Sequence, residues 1–327
     1  MNTVIIGCGA IASRWLRTLS ADPRVRVTAF VDPDATAAQR LDLRHPGVAT
    51  RWFPDLAAAL AAVDAEVAVN LTPPALHAAV SRSALAAGLH VLSEKPLATS
   101  LADASMLAGM AAERGLLLAV MRNRARDGQF LQFRDLLRQA TEGPLMVTGD
   151  VLVSLPDPGF RSKTSLPVTT DLAVHAFDQL SELVPAPAVQ VCCTETPIGF
   201  VGPHGGLATM IVTFADGSLA SYRVGYTGPQ LRTPANGIWR VEAHEFAARW
   251  DGAGTVTACA GRQDSDRPIH LLDTPPGYRL CIDAMVDALH AGTAAPPPLA
   301  PIALLDAALT SARTGRPAPV APAWERS

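Results

Sequence analysis

Lys95, Asp171 and His175 are the residues best suited to proton chemistry in this chain. Lysine occurs only at positions 95 and 163, although arginine is used freely. Arginine is a planar fork that stays charged, whereas an ammonium is a compact donor whose pKa can be moved. Lys95 lies between Glu94 and Pro96, directly after His90-Val91-Leu92-Ser93, a run that reads as a buried strand. A lysine at a strand end is therefore a first candidate for chemistry, with a solvated turn lysine as the bland alternative. Asp171 and His175 are four apart in a predicted helix, with Asp178 three further on, so the three share a face. An imidazole titrates near neutral pH and can take or give a proton. A nearby carboxylate would hold the ring and favour its charged form. A plain Asp–His surface pair is the alternative.

A second constellation opens the chain. Gly7-Cys8-Gly9-Ala10-Ile11-Ala12 sits between a strand signal, Val4-Ile5-Ile6, and a helical run from Ile11 to Leu19. Gly7 would allow a tight turn, Gly9 a close approach to a pyrophosphate, and Ala12 close helix–strand packing. Ala10 and Ile11 would bring free N–H groups and the favourable end of the helix dipole to the phosphates. Asp32 ends the second strand about twenty residues on. Its carboxylate would accept hydrogen bonds from the adenosine ribose and repel a 2′-phosphate. Pro33 follows with no arginine beside it, which favours NAD over NADP.

Positioning these groups needs two kinds of architecture. Residues 1–122 alternate strands and helices: strands at 25–31, 67–71 and 116–120, helices at 35–43 and 74–87, and a helix opened by Ser100 with Asp103 and closed by Gly115. Strands rich in Val, Ile and Leu without alternation imply a doubly wound parallel sheet covered on both faces, an α/β class. From residue 123 the pattern becomes α+β. It has amphipathic helices near Phe130–Leu137 and Asp171–Leu183, and strands at 207–214 and at 218–224 after an Asp216-Gly217 turn. A further strand is expected from Ile238 to Trp250, and a helix at 302–310. This second domain, 123–327, is expected to hold a large, mostly antiparallel open sheet.

Composition narrows the classes. Apolar residues make up 49% and charged residues 17%, and the net charge is −3, so neither nucleic acid nor an anionic membrane is an expected partner. No apolar stretch approaches the ~20 residues needed to span a bilayer. The five cysteines show no paired or zinc-like spacing, which points to free thiols and a cytoplasmic setting. His45, His90, His204, His244, His270 and His290 show no pairing that suggests a metal, and Cys192-Cys193 and the tryptophans read as packing residues.

The stretches Asn70-Leu71-Thr72-Pro73-Pro74-Ala75-Leu76-His77, Ala84 to Val91 and Glu94-Lys95-Pro96 resemble the signature of the Gfo/Idh/MocA oxidoreductase family. The N-terminal glycines, Asp171-x-x-x-His175-x-x-Asp178 and the tail from Ala307 to Val320 extend the likeness over most of the chain. The resemblance implies a Rossmann domain followed by a domain whose open sheet forms a homodimer or homotetramer interface. It implies hydride transfer between nicotinamide C4 and a carbinol or carbonyl carbon, usually of a sugar or cyclitol. His175 would be the general acid/base, Asp171 its orienting partner and a substrate contact, and Lys95 a group holding cofactor and substrate together. Thr72, Pro73, His77 and Glu94 would lie near the dinucleotide, and Asn123-Arg124 on the substrate side. The Lys95–Pro96 bond is expected to be cis.

This chain departs from the family pattern in several places. Ser165-Leu166-Pro167 replaces a frequent glycine triplet and Ala173 a frequent glycine. Met121-Arg122 replaces a Gly-aromatic pair and Gly128 a proline. These changes leave the hydride and proton parts in place and reshape the substrate pocket. Two other functions are compatible with the fold: a non-redox NAD-binding sensor, and an NAD-dependent lyase or hydrolase with transient oxidation.

Overall fold

A computed structural model describes residues 1–48, 51–154, 159–197, 206–227, 232–261, 266–293 and 295–323. The chain forms two compact units, Met1–Met121 with Cys281–Pro297, and Arg122–Leu280 with Pro298–Ser327.

In the first unit, β1 (Asn2–Ile6), α1 (Ala12–Leu19), β2 (Arg26–Val31), α2 (Ala35–Arg44), β3 (Arg51–Phe53), α3 (Leu56–Leu60), β4 (Val67–Asn70), α4 (Pro74–Ala86), β5 (His90–Ser93), α5 (Leu101–Glu113) and β6 (Leu118–Val120) alternate along the chain. Their sheet runs β3-β2-β1-β4-β5-β6, and every pairing is parallel. This is the doubly wound order, with its reversal between β1 and β4, where such sheets bind ligands at the strands' carboxyl ends. Val4, Ile5, Val67, Ala68 and Val69 are buried, which is why these strands carry no polar alternation. Helix α1 buries Ala12, Trp15, Leu16 and Leu19, one stripe at helical spacing. The capping expected of Ser100 is present: its Oγ accepts from Asp103 N and donates to the Asp103 carboxylate. Gly88 and Gly115, both at positive φ, end α4 and α5. Strand β3 and helix α3 are additions to the sequence reading, too short to show a period.

The second unit holds α6 (Gly128–Ala140), β7 (Met146–Ser154), α7 (Val174–Leu183), β8 (Ala188–Thr196), β9 (Leu207–Phe214), β10 (Leu219–Thr227), β11 (Ile238–Ala243), β12 (Phe246–Trp250), β13 (Thr255–Ala260), β14 (Arg267–His270), the start of α8 (Gly277–Ala291), α9 (Ala300–Thr314) and β15 (Ala318–Pro319). Nine strands form one open sheet, β14-β13-β12-β11-β7-β10-β9-β8-β15, antiparallel except for the β7–β10 pair. The inner face carries Val147, Val151, Val191, Met210, Val212, Tyr222, Val224, Trp239 and Trp250, packed against Phe130, Phe133, Phe177, Leu180 and Leu305 of the helices. Trp250 lies 5.8 Å from the rings of both Phe130 and Phe133. Gly217 at φ 89° makes the predicted β9–β10 hairpin turn.

Two expectations are corrected. The strand read from Ile238 to Trp250 is a hairpin, β11 and β12, turned at Glu245, whose φ is 58°. The turn was hidden because no glycine or proline marks it. The helix read from Asp171 to Leu183 is instead a π-helical segment, Val168–Ala173, running into α7 at Val174.

Candidate functional site

The β1–α1 turn has the shape a dinucleotide phosphate requires. Gly7 has φ 96°, and a Cβ there would lie 2.7 Å from the Leu71 carbonyl carbon and 2.9 Å from Thr72 N. Any side chain would push β1 away from the end of β4, at the switch point of the sheet. Gly9, by contrast, is exposed with nothing within 4 Å of an added Cβ, and Ala10 beside it is also exposed. That open space, bordered by the start of α1, admits an anion close to the backbone. Ala12 is fully buried, so the third glycine-like position is filled by the smallest side chain that packs. Asp32 is anchored at the end of β2: Oδ2 accepts from Cys8 N at 2.8 Å and Oδ1 from Asp34 N at 2.8 Å. Each oxygen keeps a further acceptor site, which suits ribose hydroxyls. Burial and the Asp32 charge push the Cys8 thiol up to about 12, so it stays protonated and inert.

The Lys95 loop is braced from behind. The Lys95–Pro96 bond is cis, as the family resemblance implied. Lys95 itself is half-buried, while Glu94 is buried with Oε1 accepting from Trp15 Nε1 at 2.7 Å and Oε2 from Lys95 N at 3.2 Å. This bond ties α1 to the lysine loop and gives Trp15 a part beyond packing. His77, on the first turn of α4, is buried, with Nδ1 2.5 Å from the Pro96 carbonyl and Nε2 2.6 Å from the Thr72 carbonyl. Its ring therefore faces backbone, and it joins the Thr72-Pro73 turn to the residue after Lys95. Asn70 completes the brace: Nδ2 donates to His77 O and Ser81 Oγ, and Oδ1 accepts from Thr72 Oγ1 at 2.6 Å. Pro73 is exposed beside this turn. The part of Asn70 was visible in sequence only as one more letter of a motif.

In the second unit, Asp171 and His175 are both buried, Asp171 in the π-helical segment and His175 in the first turn of α7. A π turn adds a residue and re-aims the side chains around it, a device frequent at functional sites. Glu195 of β8 caps the segment, accepting from Val168 N, Thr169 N and Thr169 Oγ1 at 3.0, 2.8 and 2.7 Å. Asp171 Oδ2 accepts from Arg161 Nε at 2.6 Å and from Tyr226 OH at 3.0 Å. Arg161 and Tyr226 were not foreseen, since Arg161 sits in no motif. Tyr226 shares the inner face of β10 with Tyr222, a spacing of four that a strand reading of this segment could have shown. Arg124, at 8% exposure, is buried in the turn before α6, and Asn123 beside it is half-buried. The backbone of that turn is packed against Gly277, where an added Cβ would be 2.7 Å from Asp127 Cα.

Asp178, on the same helix as His175, is engaged in an ion pair. It pairs at 2.8 Å with Arg122, which also reaches Glu182 at 3.2 Å, and Arg134 joins Glu182 at 2.9 Å. Burial works against the Arg122 charge, but the two carboxylates outweigh it and hold the guanidinium firmly charged. Arg122, standing where the family has an aromatic residue, is thus part of an ion network. Lys163, the second lysine, is exposed in a 3-10 turn. No group of three or more His, Cys, Asp or Glu among the described residues converges as metal ligands would; His204 lies outside those residues. No helix among them is long and apolar enough to cross a membrane.

Comparison with known proteins agrees with this arrangement. The model of an oxidoreductase family with an NAD-binding Rossmann fold matches residues 1–122. A UDP-N-acetylglucosamine 3-dehydrogenase from Acidithiobacillus ferrooxidans is 30% identical over 277 residues, covering 81% of this chain and 82% of that protein. A dTDP-3,4-didehydro-2,6-dideoxy-alpha-D-glucose 3-reductase from Actinomadura kijaniata is 36% identical over 142 residues, 43% of this chain and 42% of that protein. Among solved structures, the WlbA dehydrogenase from Bordetella pertussis, in complex with NADH and UDP-GlcNAcA, superposes with a TM-score of 0.81. That match has 21% identity and covers 99% of this chain and 98% of that one.

Proposed function

Because the chain belongs to the Gfo/Idh/MocA oxidoreductase family, we propose that it transfers hydride between nicotinamide C4 and a carbinol or carbonyl carbon of a sugar, cyclitol or related small molecule. Gly7, Gly9, Ala10, Ile11, Thr72 and Pro73 hold the dinucleotide, with Asp32 on the adenosine ribose selecting NAD over NADP. When bound, the nicotinamide supplies the site that gives or accepts hydride. His175 takes the proton of the substrate hydroxyl as hydride leaves, or returns it to the oxygen during reduction. Lys95 donates to the reacting oxygen region and holds the substrate in register. Asp171 orients the site and accepts from a neighbouring substrate hydroxyl, and Asn123 and Arg124 border the same substrate. Such positioning supplies much of the rate by making the encounter intramolecular.

The observation that carries the reading is the burial of both Asp171 and His175 at a π-to-α junction, in a chain that also keeps a glycine turn closed against β4. A non-redox NAD-binding sensor would need the glycine turn but none of Lys95, Asp171 and His175, and no observation favours a lyase. The named relatives act on sugar nucleotides, so a nucleotide-linked sugar is the first substrate class to test. The same reading includes a cytoplasmic protein and a homo-oligomer formed through the outer face of the second sheet. The test is a panel of sugars, cyclitols and sugar nucleotides with NAD and NADP, read at the nicotinamide absorbance band. His175→Ala is expected to lose at least about a hundredfold in turnover while keeping NAD affinity, in line with the usual size of acid–base catalysis. Unchanged turnover would remove His175 from its role.

A further inference from the structure

The second unit gathers more positive charge around Asp171 than that carboxylate can neutralise. Arg161 spends its Nε on Asp171 and also bonds the Tyr226 hydroxyl, and its guanidinium lies over the Phe160 ring, 4.6 Å from the centroid. Among the described residues, Asp171 is the one carboxylate paired with Arg161, and no carboxylate pairs with Arg124. Arg124 makes no side-chain hydrogen bond to any described residue, and its Nη1 is buried without a partner. The groups whose fields favour the Arg124 charge are Tyr222, Asp171 and Tyr226, the first and last being neutral phenols whose pKa burial raises further. Burial pulls the Arg124 pKa below its ordinary value, so the cation sits in its own fold at a cost. The Tyr222 hydroxyl, also buried, lacks a partner among the described residues as well. One carboxylate, Asp171, therefore pairs with Arg161 and also lends its field to Arg124, whose Nη1 keeps a donor unused. A buried unpaired charge is strongly destabilising unless a counter-charge reaches it.

We infer that the substrate carries an anionic group, a carboxylate or a phosphate, received by Arg161 and Arg124 beside the reacting centre. Asp171 then has a second part: besides orienting the site, it fixes the Arg161 fork so that the terminal amino groups face the incoming anion. Guanidinium is the side chain suited to this, because its parallel donors match two oxygens of a carboxylate or phosphate. This inference rests on the reading above in one respect only, that substrate binds against Asp171 and His175.

The test uses the NAD-loaded protein and reads binding first, with nicotinamide turnover as the second readout. D-glucuronate, D-glucose 6-phosphate and D-glucose are titrated by calorimetry against wild type, Arg161→Gln and Arg124→Gln. One of the two anions is expected to bind at least roughly tenfold more tightly than glucose, and in Arg161→Gln the anion's affinity is expected to fall to that of glucose for the same variant. Which anion wins separates a sugar acid from a sugar phosphate. Arg161 is part-exposed, so its variant should fold even if the Arg124 variant does not. Equal affinity for all three sugars, or an anion preference that survives Arg161→Gln, would overturn the inference. Turnover of a neutral sugar untouched by Arg161→Gln would overturn it while leaving the dehydrogenase reading intact. Arg161-dependent anion binding without any hydride transfer would uphold it and sink that reading.

Discussion

Leu166 holds a backbone angle that a leucine rarely adopts, φ 53°, at the point where family members often carry glycines. The left-handed region costs an L-residue roughly 1–2 kcal/mol. Leu166 partly offsets this by packing against the core of the second unit. Replacing it with glycine removes the strain, but also the packing, and adds unfolded-state freedom worth about 0.4–1 kcal/mol. Leu166→Gly is therefore expected to be near neutral in stability, whereas Leu166→Ile, β-branched and a poor fit at positive φ, loses about 1–2 kcal/mol. Urea melts of the two variants check this; an isoleucine variant as stable as wild type would refute it. His77 offers a pH test. Each ring nitrogen faces a carbonyl, so a neutral ring donates to one of them only. Burial, opposed by the Pro96 and Thr72 carbonyls and by Glu94, leaves its pKa below the ordinary value. A lowered folded-state pKa contributes stability above the unfolded value of about 6.5, lost as pH falls through the folded value. Melting temperature should thus fall more steeply below about pH 6.5 for wild type than for His77→Gln. Parallel curves would show that His77 carries no such linkage.

Two elements decide where side chains go. The π-helical segment changes the register between Asp171 and His175, so their spacing of four is read across a junction and not along one regular helix. Sequence spacing could not reveal this, because the capping by Glu195 comes from a strand more than twenty positions away. The β7–β10 pair in turn sets the inner face that carries Tyr222 and Tyr226. Gly149 of β7 leaves room for the stacked Tyr222 and Trp239 rings, 5.4 Å apart, and an added Cβ would lie 2.8 and 2.9 Å from them. Glycine in a strand ordinarily costs about 0.5–1 kcal/mol against alanine. Here the clash wins, because both rings are fully buried and have nowhere to move. Gly149→Ala is expected to destabilise by about 1–3 kcal/mol, the usual range for overpacking. A thermal or urea melt checks the sign; a stabilised variant would mean the rings move freely.

For the molecule as a whole, the outer face of the nine-stranded sheet keeps Met146, Ile211 and Leu219 exposed at 43%, 47% and 40%, on the neighbouring strands β7, β9 and β10. We propose this face as the subunit interface, since apolar side chains grouped on an open sheet face suit contact with another protein. Light scattering is expected to show a dimer or larger assembly, and Ile211→Glu to shift it toward monomer; a monomeric wild type would contradict this. The residue sequence by itself determined the parallel first sheet, the glycine turn with Asp32, and the candidates Lys95, Asp171 and His175. Those follow from local period, turn chemistry and short motifs, all of which act between near neighbours in the chain. Tertiary structure alone decided that Glu94 holds Trp15, that His77 bridges two loops, that Asp178 belongs to Arg122, and that Arg161 grips Asp171. Each of these depends on which strands and helices lie side by side, and hydrogen-bond or charge complementarity is satisfied across that distance without leaving a period in the sequence.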